Sequence, residues 1–187
     1  MTPRFEWIPT PLAGLMRVRR LPVGDGRGYF ERLFCADAWQ ALLGERRIVQ
    51  INHTRTARRG TARGLHFQHP PHGECKIVQC LQGEVFDVVV DLRRDSPTFL
   101  RWHGEVLGGE RFVTLWVPEG FAHGFQTLTD GCEMLYLHTA AYRPEAEGGV
   151  HVQDPALGIR WPLPLEGLSP RDASHPWLSG SFAGVVV

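Results

Sequence analysis

Glycine and proline divide this chain into many brief apolar runs. There are 21 glycines and 14 prolines among the 187 residues, and the runs between them are rich in Val, Phe, Leu and Trp. Short runs of this composition, bounded by Gly and Pro, are typical of strands and leave little room for long helices. The spacing therefore predicts an all-β fold, a sandwich or barrel built from many short strands.

Four runs have the clearest strand character, and one stretch is typical of a helix. The helix is predicted over Asp37–Gly44, with the acidic residue near its start and the glycine as its stop. A tight hairpin turn is expected at Leu81–Glu84, between the first two strands. The predicted strands are Lys76–Leu81, Glu84–Leu92, Phe112–Val117 and Glu133–His138.

The length of the chain indicates one domain over residues 1–187, with a sizeable core. From Tyr142 onward the sequence becomes rich in proline, and we expect this last third to wrap the barrel as ordered loops. We expect the terminal run, residues 181–187, to be disordered.

The charge balance excludes partners that bind through a strong net field. Lys plus Arg and Asp plus Glu both number 20, so we expect no binding to nucleic acid or to an anionic membrane. No apolar run reaches the length of a membrane span, and the first residues lack the apolar core of a signal peptide. The four cysteines form no CxxC pair, which favours free thiols in a reducing cytoplasm.

Several polar side chains lie within apolar strands, where burying them is costly unless they are paired or used. Arg63 and His66 share one such segment, Lys76 (the only lysine) begins the next, and His123 ends the string that starts at Pro118. An imidazole titrates near working pH, so His66 is a candidate general base, with a satisfied core histidine as the alternative. Together these groups predict one concave pocket.

A metal site is an alternative use of such a barrel. Cupin-type barrels hold metal with a His-x-His pair on one strand and a further histidine after Pro-x-Gly. The run Pro118–His123 supplies the last element, but Gln68 stands two positions after His66, where the pair needs a histidine. His69 is one position further along and faces the other side of a continuing strand. We therefore expect no metal at this site.

Longer strings, in matching order and spacing, resemble the nucleotide-sugar 3,5-epimerases. The best-known members of that family act on dTDP-4-dehydro-6-deoxyglucose in the route to dTDP-rhamnose. The similarity extends from Gly26 to Asp172, which is nearly the whole chain. It implies a cofactor-free isomerase on a cupin-like jelly roll with short peripheral helices, assembled as a homodimer. The strings that carry it are Arg63–His66, Gly83–Val88, Pro118–Phe125 and Leu135–Tyr136.

The resemblance also implies roles for individual residues. His66 matches the family's base, and Asp172 matches the carboxylate that supports it. Tyr136 matches the acid on the opposite face of the sugar, and Lys76 matches the lysine beside the keto oxygen. The positions that match nucleotide-sugar contacts are Arg27, Phe30, Gln50, Asn52, Arg63, His123, Tyr142 and Glu147.

These residue types suit epimerisation next to a ketone. One group must remove a C–H proton and another must return a proton from the other face, while a cation stabilises the enolate. The 4-keto group is already in the substrate, so no nicotinamide is needed, and the sequence has no dinucleotide fingerprint between a strand and a helix. The alternatives are a single-centre epimerase or keto-isomerase, a metal cupin, and a non-catalytic binding module for sugar nucleotides.

Several departures from the family pattern leave the substrate less defined than the reaction. Arg32 and Ile51 stand where the family usually has acidic residues, which changes the charge near the expected nucleotide end. The other departures are Leu137, Ala141 and the run Val152–Asp154.

Overall fold

The computed structural model describes residues 3–187, and its regular structure is mostly antiparallel β-strand. Two short α-helices, α1 at Ala36–Leu43 and α2 at Pro170–Ala173, flank the strands. Within the described residues, no helix has the length and apolar character needed to cross a membrane. The strands are β1 Phe5–Pro9, β2 Met16–Arg20, β3 Val23–Asp25, β4 Gly28–Phe30, β5 Gln50–Thr56, β6 Ala62–Gln68, β7 Lys76–Gln82, β8 Glu84–Asp91, β9 Trp102–Gly108, β10 Val113–Val117, β11 Phe121–Thr127, β12 Cys132–His138 and β13 Glu147–Gly149.

Most of these strands form two sheets. The six-stranded sheet has the order β1-β2-β10-β7-β12-β5, and the five-stranded sheet has the order β13-β6-β11-β8-β9. Strands β3 and β4 pair only with each other and form a separate ribbon. The architecture is a cupin-like jelly roll with few helices, which confirms the predicted fold class.

The predicted elements are present, each with bounds within one residue of the expected ones. Helix α1 ends where expected because Gly44 adopts a positive φ of 60°, and its N–H donates to the carbonyl of Gln40 at 2.9 Å. The expected hairpin at Leu81–Glu84 is wrong. Strand β7 pairs with β10 and β12 in one sheet, whereas β8 pairs with β9 and β11 in the other, so Gly83 carries the chain between sheets.

Three apolar clusters hold this arrangement together. The central cluster fills the space between the sheets and includes Leu115, Phe125 and Met134. A second cluster lies where Trp39 of α1 covers the outside of the six-stranded sheet. Leu137 belongs to this second cluster, so it faces away from the interior of the barrel.

The third cluster shows how the end of the chain is used. Val150, Trp161 and Leu165 pack on residues of β6 and β8 from outside, so the last third wraps the barrel as expected. We expected residues 181–187 to be disordered, but Val185 is ordered. It forms an isolated β-bridge with Arg93, and its side chain is buried among these apolar residues.

Candidate active site

A cavity of about 260 Å³, partly open to solvent, lies between the two sheets. Its volume is close to the lower end of the range of pockets that take small-molecule ligands. The sheets contribute different groups, because β6 and β11 belong to the five-stranded sheet and β5, β7 and β12 to the six-stranded sheet. The side chains predicted for the site that line this cavity are His66, Lys76, Tyr136, Asn52, Arg63, His123, Tyr142 and Glu147.

Two glycines bring the histidine-bearing strands together. His66 on β6 lies opposite His123 on β11, and the register shifts immediately after this pair. A Cβ on Gly64 would lie 2.7 Å from the Cα of Gly124, and a Cβ on Gly124 would lie 2.5 Å from the carbonyl oxygen of Arg63. Only glycine permits this close backbone approach, which sets both imidazoles at the cavity.

His66 and Asp172 form a hydrogen-bonded dyad. The Nε2 of His66 donates to Oδ1 of Asp172 at 2.7 Å, and the carboxylate is almost fully buried. Asp172 lies on α2, whose first turn is capped by the hydroxyl of Ser169. Burial acts to raise the pKa of Asp172, but hydrogen bonds from His66 and Ser169 outweigh it and hold that pKa below its ordinary value. An ionised carboxylate therefore orients the imidazole.

His175 packs behind this dyad, with its ring edge-on to His66 and ring centroids 5.3 Å apart. Burial and the neighbouring His66 lower the pKa of His175. One nitrogen or oxygen from each of His66, Asp172 and His175 lies within 4.8 Å of the others, a spacing that suits a metal ion. The Nε2 of His66 is already committed to Asp172 at hydrogen-bonding distance, so this donor set fits an orienting dyad better than a coordination sphere.

Lys76 enters the cavity from the first position of β7. Its Nζ donates to the carbonyl oxygen of His66 and approaches Oε1 of Glu74, both at 3.2 Å. The side chains of Lys76 and Glu74 are 8% and 9% exposed, so this ion pair is largely shielded from water. A buried ammonium needs such a partner, and Glu74 supplies it.

Tyr136 faces the cavity from β12, on the six-stranded sheet opposite His66. Its ring packs against the central cluster and lies edge-on to His123, with centroids 6.0 Å apart. Burial raises the pKa of Tyr136, so the phenol holds its proton near neutral pH. The cavity thus has an imidazole on one wall and a protonated phenol on the other.

His123 is held from the interior by Asp87. Its Nε2 lies 2.8 Å from Oδ2 of Asp87, whose side chain is fully buried. Burial raises the pKa of Asp87 although His123 opposes that effect. This pair fixes the His123 ring edge-on to Tyr136, on the strand position opposite His66.

Polar side chains surround the mouth of the cavity. The hydroxyl of Tyr142 donates to Oε2 of Glu147 at 2.9 Å, and Nη1 of Arg171 donates to Oε1 of the same carboxylate at 3.0 Å. The hydrogen bond to Glu147 raises the pKa of Tyr142. Arg63 donates through Nε to the hydroxyl of Thr56 at 3.1 Å, and both arginines line the cavity.

Asn52 and Gln50 occupy alternate positions of β5. Asn52 lines the cavity. Gln50 does not line it, and it accepts a hydrogen bond from the backbone N–H of Tyr142 at 2.9 Å. The amide nitrogen of Gln50 donates a hydrogen bond to Oδ1 of Asn52 at 3.2 Å.

Arg27 and Phe30 lie outside this cavity, contrary to the expectation of one pocket. Both belong to the β3–β4 ribbon, where Arg27 pairs with the neighbouring Asp25 and Phe30 is 62% exposed. The ribbon pairs with no other strand of the described chain, and this isolation keeps its side chains away from β6 and β12.

Sequence reasoning missed several residues that line or support the site. Glu74 and His138 each lie two positions from a predicted residue (Lys76 and Tyr136), and this period-two spacing was the available signal. Gln68, by contrast, is structural. Its amide donates to the carbonyls of His72 and Ala141 and accepts from the N–H of Arg143, so it joins two loops. Arg171, beside Asp172, and His175 were also missed.

A family model described as dTDP-4-dehydrorhamnose 3,5-epimerase matches residues 9–180. The chain belongs to this family. A curated dTDP-4-dehydrorhamnose 3,5-epimerase from Salmonella typhimurium is 42% identical over 173 residues, covering 91% of this chain and 94% of that protein. The family resemblance, and with it membership in a family of isomerases, is confirmed.

Solved structures of family members have the same fold. The dTDP-6-deoxy-D-glucose-3,5-epimerase from Legionella pneumophila, in complex with dTDP-4-keto-L-rhamnose, has a TM-score of 0.89 and 39% identity, with 98% of each chain covered. A 3'-monoepimerase from Streptomyces bikiniensis, in complex with dTDP-quinovose, has a TM-score of 0.84 and 33% identity, with 91% of this chain and 86% of that chain covered. Double-centre and single-centre epimerases therefore share this architecture.

Proposed function

We propose that this protein epimerises a nucleotide-linked 4-keto-6-deoxyhexose at C3 and C5 without a cofactor. The proposed reaction converts dTDP-4-dehydro-6-deoxy-D-glucose to dTDP-4-dehydro-L-rhamnose, as the names of its relatives suggest. The observation that carries the proposal is the cavity itself. A carboxylate-supported imidazole and a protonated phenol enter it from opposite sheets, and the only lysine lines the same space.

His66 is the proposed base. Because its Nε2 donates to Asp172, its Nδ1 is the nitrogen with a free lone pair. That nitrogen removes the proton from the carbon next to the ketone, and the charge of Asp172 stabilises the imidazolium that results.

Lys76 is the proposed electrostatic catalyst. Removing the proton places negative charge on the keto oxygen, and a fixed ammonium beside that oxygen stabilises the enolate. By comparison with oxyanion-hole donors, such a contact lowers the barrier by about 3 kcal/mol.

Tyr136 is the proposed acid. It stands on the sheet opposite His66, so it returns a proton to the other face of the ring and completes the inversion. Its raised pKa keeps the phenol protonated for that step.

The diphosphate and the nucleotide are assigned to the mouth of the cavity. Arg63 and Arg171 offer planar guanidinium forks suited to phosphate oxygens. His123, Tyr142 and Glu147 are the proposed contacts to the sugar and the nucleotide.

We also propose a homodimer. Arg27 and Phe30 match substrate contacts of the family but lie on a projecting ribbon, so a second copy would have to bring them to a cavity. The exposed apolar side chains Tyr29, Val49 and Ile51, with β5 at an open sheet edge, support such an interface. Light scattering should give twice the mass of the 21.1 kDa chain. A monomer at micromolar concentration would contradict this assembly.

The four cysteines of the chain are free thiols, which supports a reducing compartment such as the cytoplasm.

A single-centre epimerase is the second candidate, because a 3'-monoepimerase shares the fold at 33% identity. One experiment tests both. The protein is incubated with dTDP-4-keto-6-deoxyglucose in deuterated water, and NMR follows the hydrogens on C3 and C5. Deuterium at both carbons, with inversion, is expected. Deuterium at one carbon would favour the second candidate. An absence of exchange with this and other nucleotide 4-keto-sugars would overturn the enzyme assignment.

A further inference from the structure

His138 and Lys76 lie directly opposite each other on β12 and β7, and both side chains line the cavity. Two cations at directly opposed positions of a sheet would repel each other. Glu74 lies between them, with Oε1 at 3.2 Å from Nζ of Lys76 and Oε2 at 2.7 Å from Nδ1 of His138. The protonation state of His138 therefore decides how much of the Glu74 charge remains for Lys76.

A chain of hydrogen bonds fixes that protonation state. It begins at the backbone N–H of Tyr142, which can only donate, so Gln50 must turn its Oε1 toward it at 2.9 Å. The amide nitrogen of Gln50 then faces Asn52, whose Oδ1 accepts at 3.2 Å. The Asn52 amide nitrogen is left to donate to Nε2 of His138 at 3.3 Å. Nε2 consequently has no proton of its own.

The other ring nitrogen has the opposite role. Nδ1 of His138 faces a carboxylate, which accepts hydrogen bonds only, so Nδ1 carries the proton. Burial acts to raise the pKa of Glu74, but the bond from His138 and the charge of Lys76 outweigh it and lower that pKa. The network thus contains a neutral imidazole, an ionised carboxylate and an ammonium.

We propose that Glu74 and His138 are positioning residues for Lys76, and that the chain from Tyr142 through Gln50 and Asn52 holds His138 as the neutral Nδ1–H tautomer. The functional part of this proposal rests on the proposed role of Lys76 at the keto oxygen. Neutral His138 leaves the whole charge of Glu74 to the ammonium, and the bond to Nδ1 fixes the carboxylate in place. The resemblance matched Gln50 and Asn52 to substrate contacts. In this proposal their amide groups orient Lys76 instead, through His138 and Glu74.

The first test uses NMR of the free protein, so it is independent of any substrate. In protein labelled with ¹⁵N-histidine, the signals absent from the His138→Gln variant belong to His138, one of nine histidines. We expect a protonated Nδ1 and an unprotonated Nε2 at pH 7. A cationic ring, or a proton on Nε2, would overturn the proposal.

The second measurement follows the lysine directly. Because Lys76 is the only lysine, ¹⁵N-lysine labelling gives one side-chain ammonium signal. Glutamine offers an acceptor toward Asn52 and a donor toward Glu74, as the neutral imidazole does, whereas leucine offers neither. We expect the ammonium signal to be slow-exchanging in wild type and in His138→Gln, and to broaden in His138→Leu and Glu74→Gln. Equal signals in all four proteins would contradict the positioning role.

Turnover provides the third measurement. Hydrogen bonds to charged groups contribute about 1.5–3 kcal/mol, which corresponds to about tenfold or more in rate. We expect His138→Leu to lower kcat by about tenfold or more, to leave KM within about twofold, and to be largely rescued by glutamine. A raised KM with unchanged kcat would contradict the proposal. Absence of turnover in wild type would refute the proposed function alone, since both NMR measurements would still decide the hydrogen-bond chain.

Discussion

The dyad of His66 and Asp172 gives the sharpest single-residue prediction. Asp172→Asn keeps the shape of the side chain but removes the charge that faces Nε2 of His66 at 2.7 Å. The charge-assisted hydrogen bond, made in a site where the carboxylate is only 2% exposed, contributes about 1.5–3 kcal/mol. One factor of ten in rate corresponds to about 1.4 kcal/mol, so kcat should fall about 10- to 100-fold.

The assay is steady-state turnover of the dTDP-4-keto-6-deoxyhexose, with deuterium exchange followed in parallel. Both rates should fall together, because proton removal precedes exchange and inversion alike, and KM should stay within about threefold. Asp154→Asn is the matched control. Asp154 is equally buried but accepts from the backbone N–H groups of Ala156 and Leu178, away from the cavity. If Asp172→Asn retains kcat within twofold, or if the control loses as much, the argument for the dyad is wrong.

Three further predictions concern stability and metal. The arginine and hydroxyl partners of Asp91 outweigh its burial and lower its pKa, so the stability this group contributes is full above about pH 4 and is lost as pH falls through the lowered value. Asp91→Asn should therefore lower the free energy of unfolding in urea by about 2–3 kcal/mol at pH 7 and by less at pH 3; equal losses at both pH values would contradict this prediction. Stripping with a chelator should leave kcat unchanged because Nε2 of His66 is already bonded, and recovery of lost activity by added Zn²⁺ or Fe²⁺ would refute it. Gly124→Ala should destabilise by about 1–3 kcal/mol, because its Cβ would meet the carbonyl of Arg63, whereas Gly26→Ala, with open space around it, should change stability by less than about 0.5 kcal/mol; similar losses would be the contrary result.

The positions of these strands could be predicted from the sequence, because the pattern that marks a strand lies within the strand itself and the residues beside it. Apolar runs between glycines and prolines define β7, β8, β10 and β12 almost to the residue. Which strands pair with one another could not be predicted, because strand pairing depends on residues far apart in the sequence. Gly83 is compatible with a hairpin and with a crossing between sheets, and only the packing of β8 against β9 and β11 decides between them.

The candidate site also has a part that the sequence predicted and a part that it did not. Motif strings identified His66 and Tyr136, and Lys76 was singled out as the only lysine and by its match to the family's lysine. The structure brings all three to one cavity. Glu74 and His138, which act through Lys76, were missed. Their period-two spacing marks them as neighbours of Lys76 and Tyr136, but no local pattern reveals that their own side chains meet. Arg27 and Phe30 show a different limit, since a match to a family motif does not say whether a side chain reaches the cavity of its own chain.

The central claim is that His66 and Tyr136 act on opposite faces of one sugar. Tyr136→Phe removes the proposed acid but leaves the base and its carboxylate in place. The most direct measurement compares deuterium uptake at C3 and C5 with the yield of inverted product, in Tyr136→Phe and in His66→Ala. We predict that Tyr136→Phe still exchanges these hydrogens while inversion falls far more, and that His66→Ala loses both. If Tyr136→Phe inverts the sugar as fast as wild type, the two-sided account is wrong.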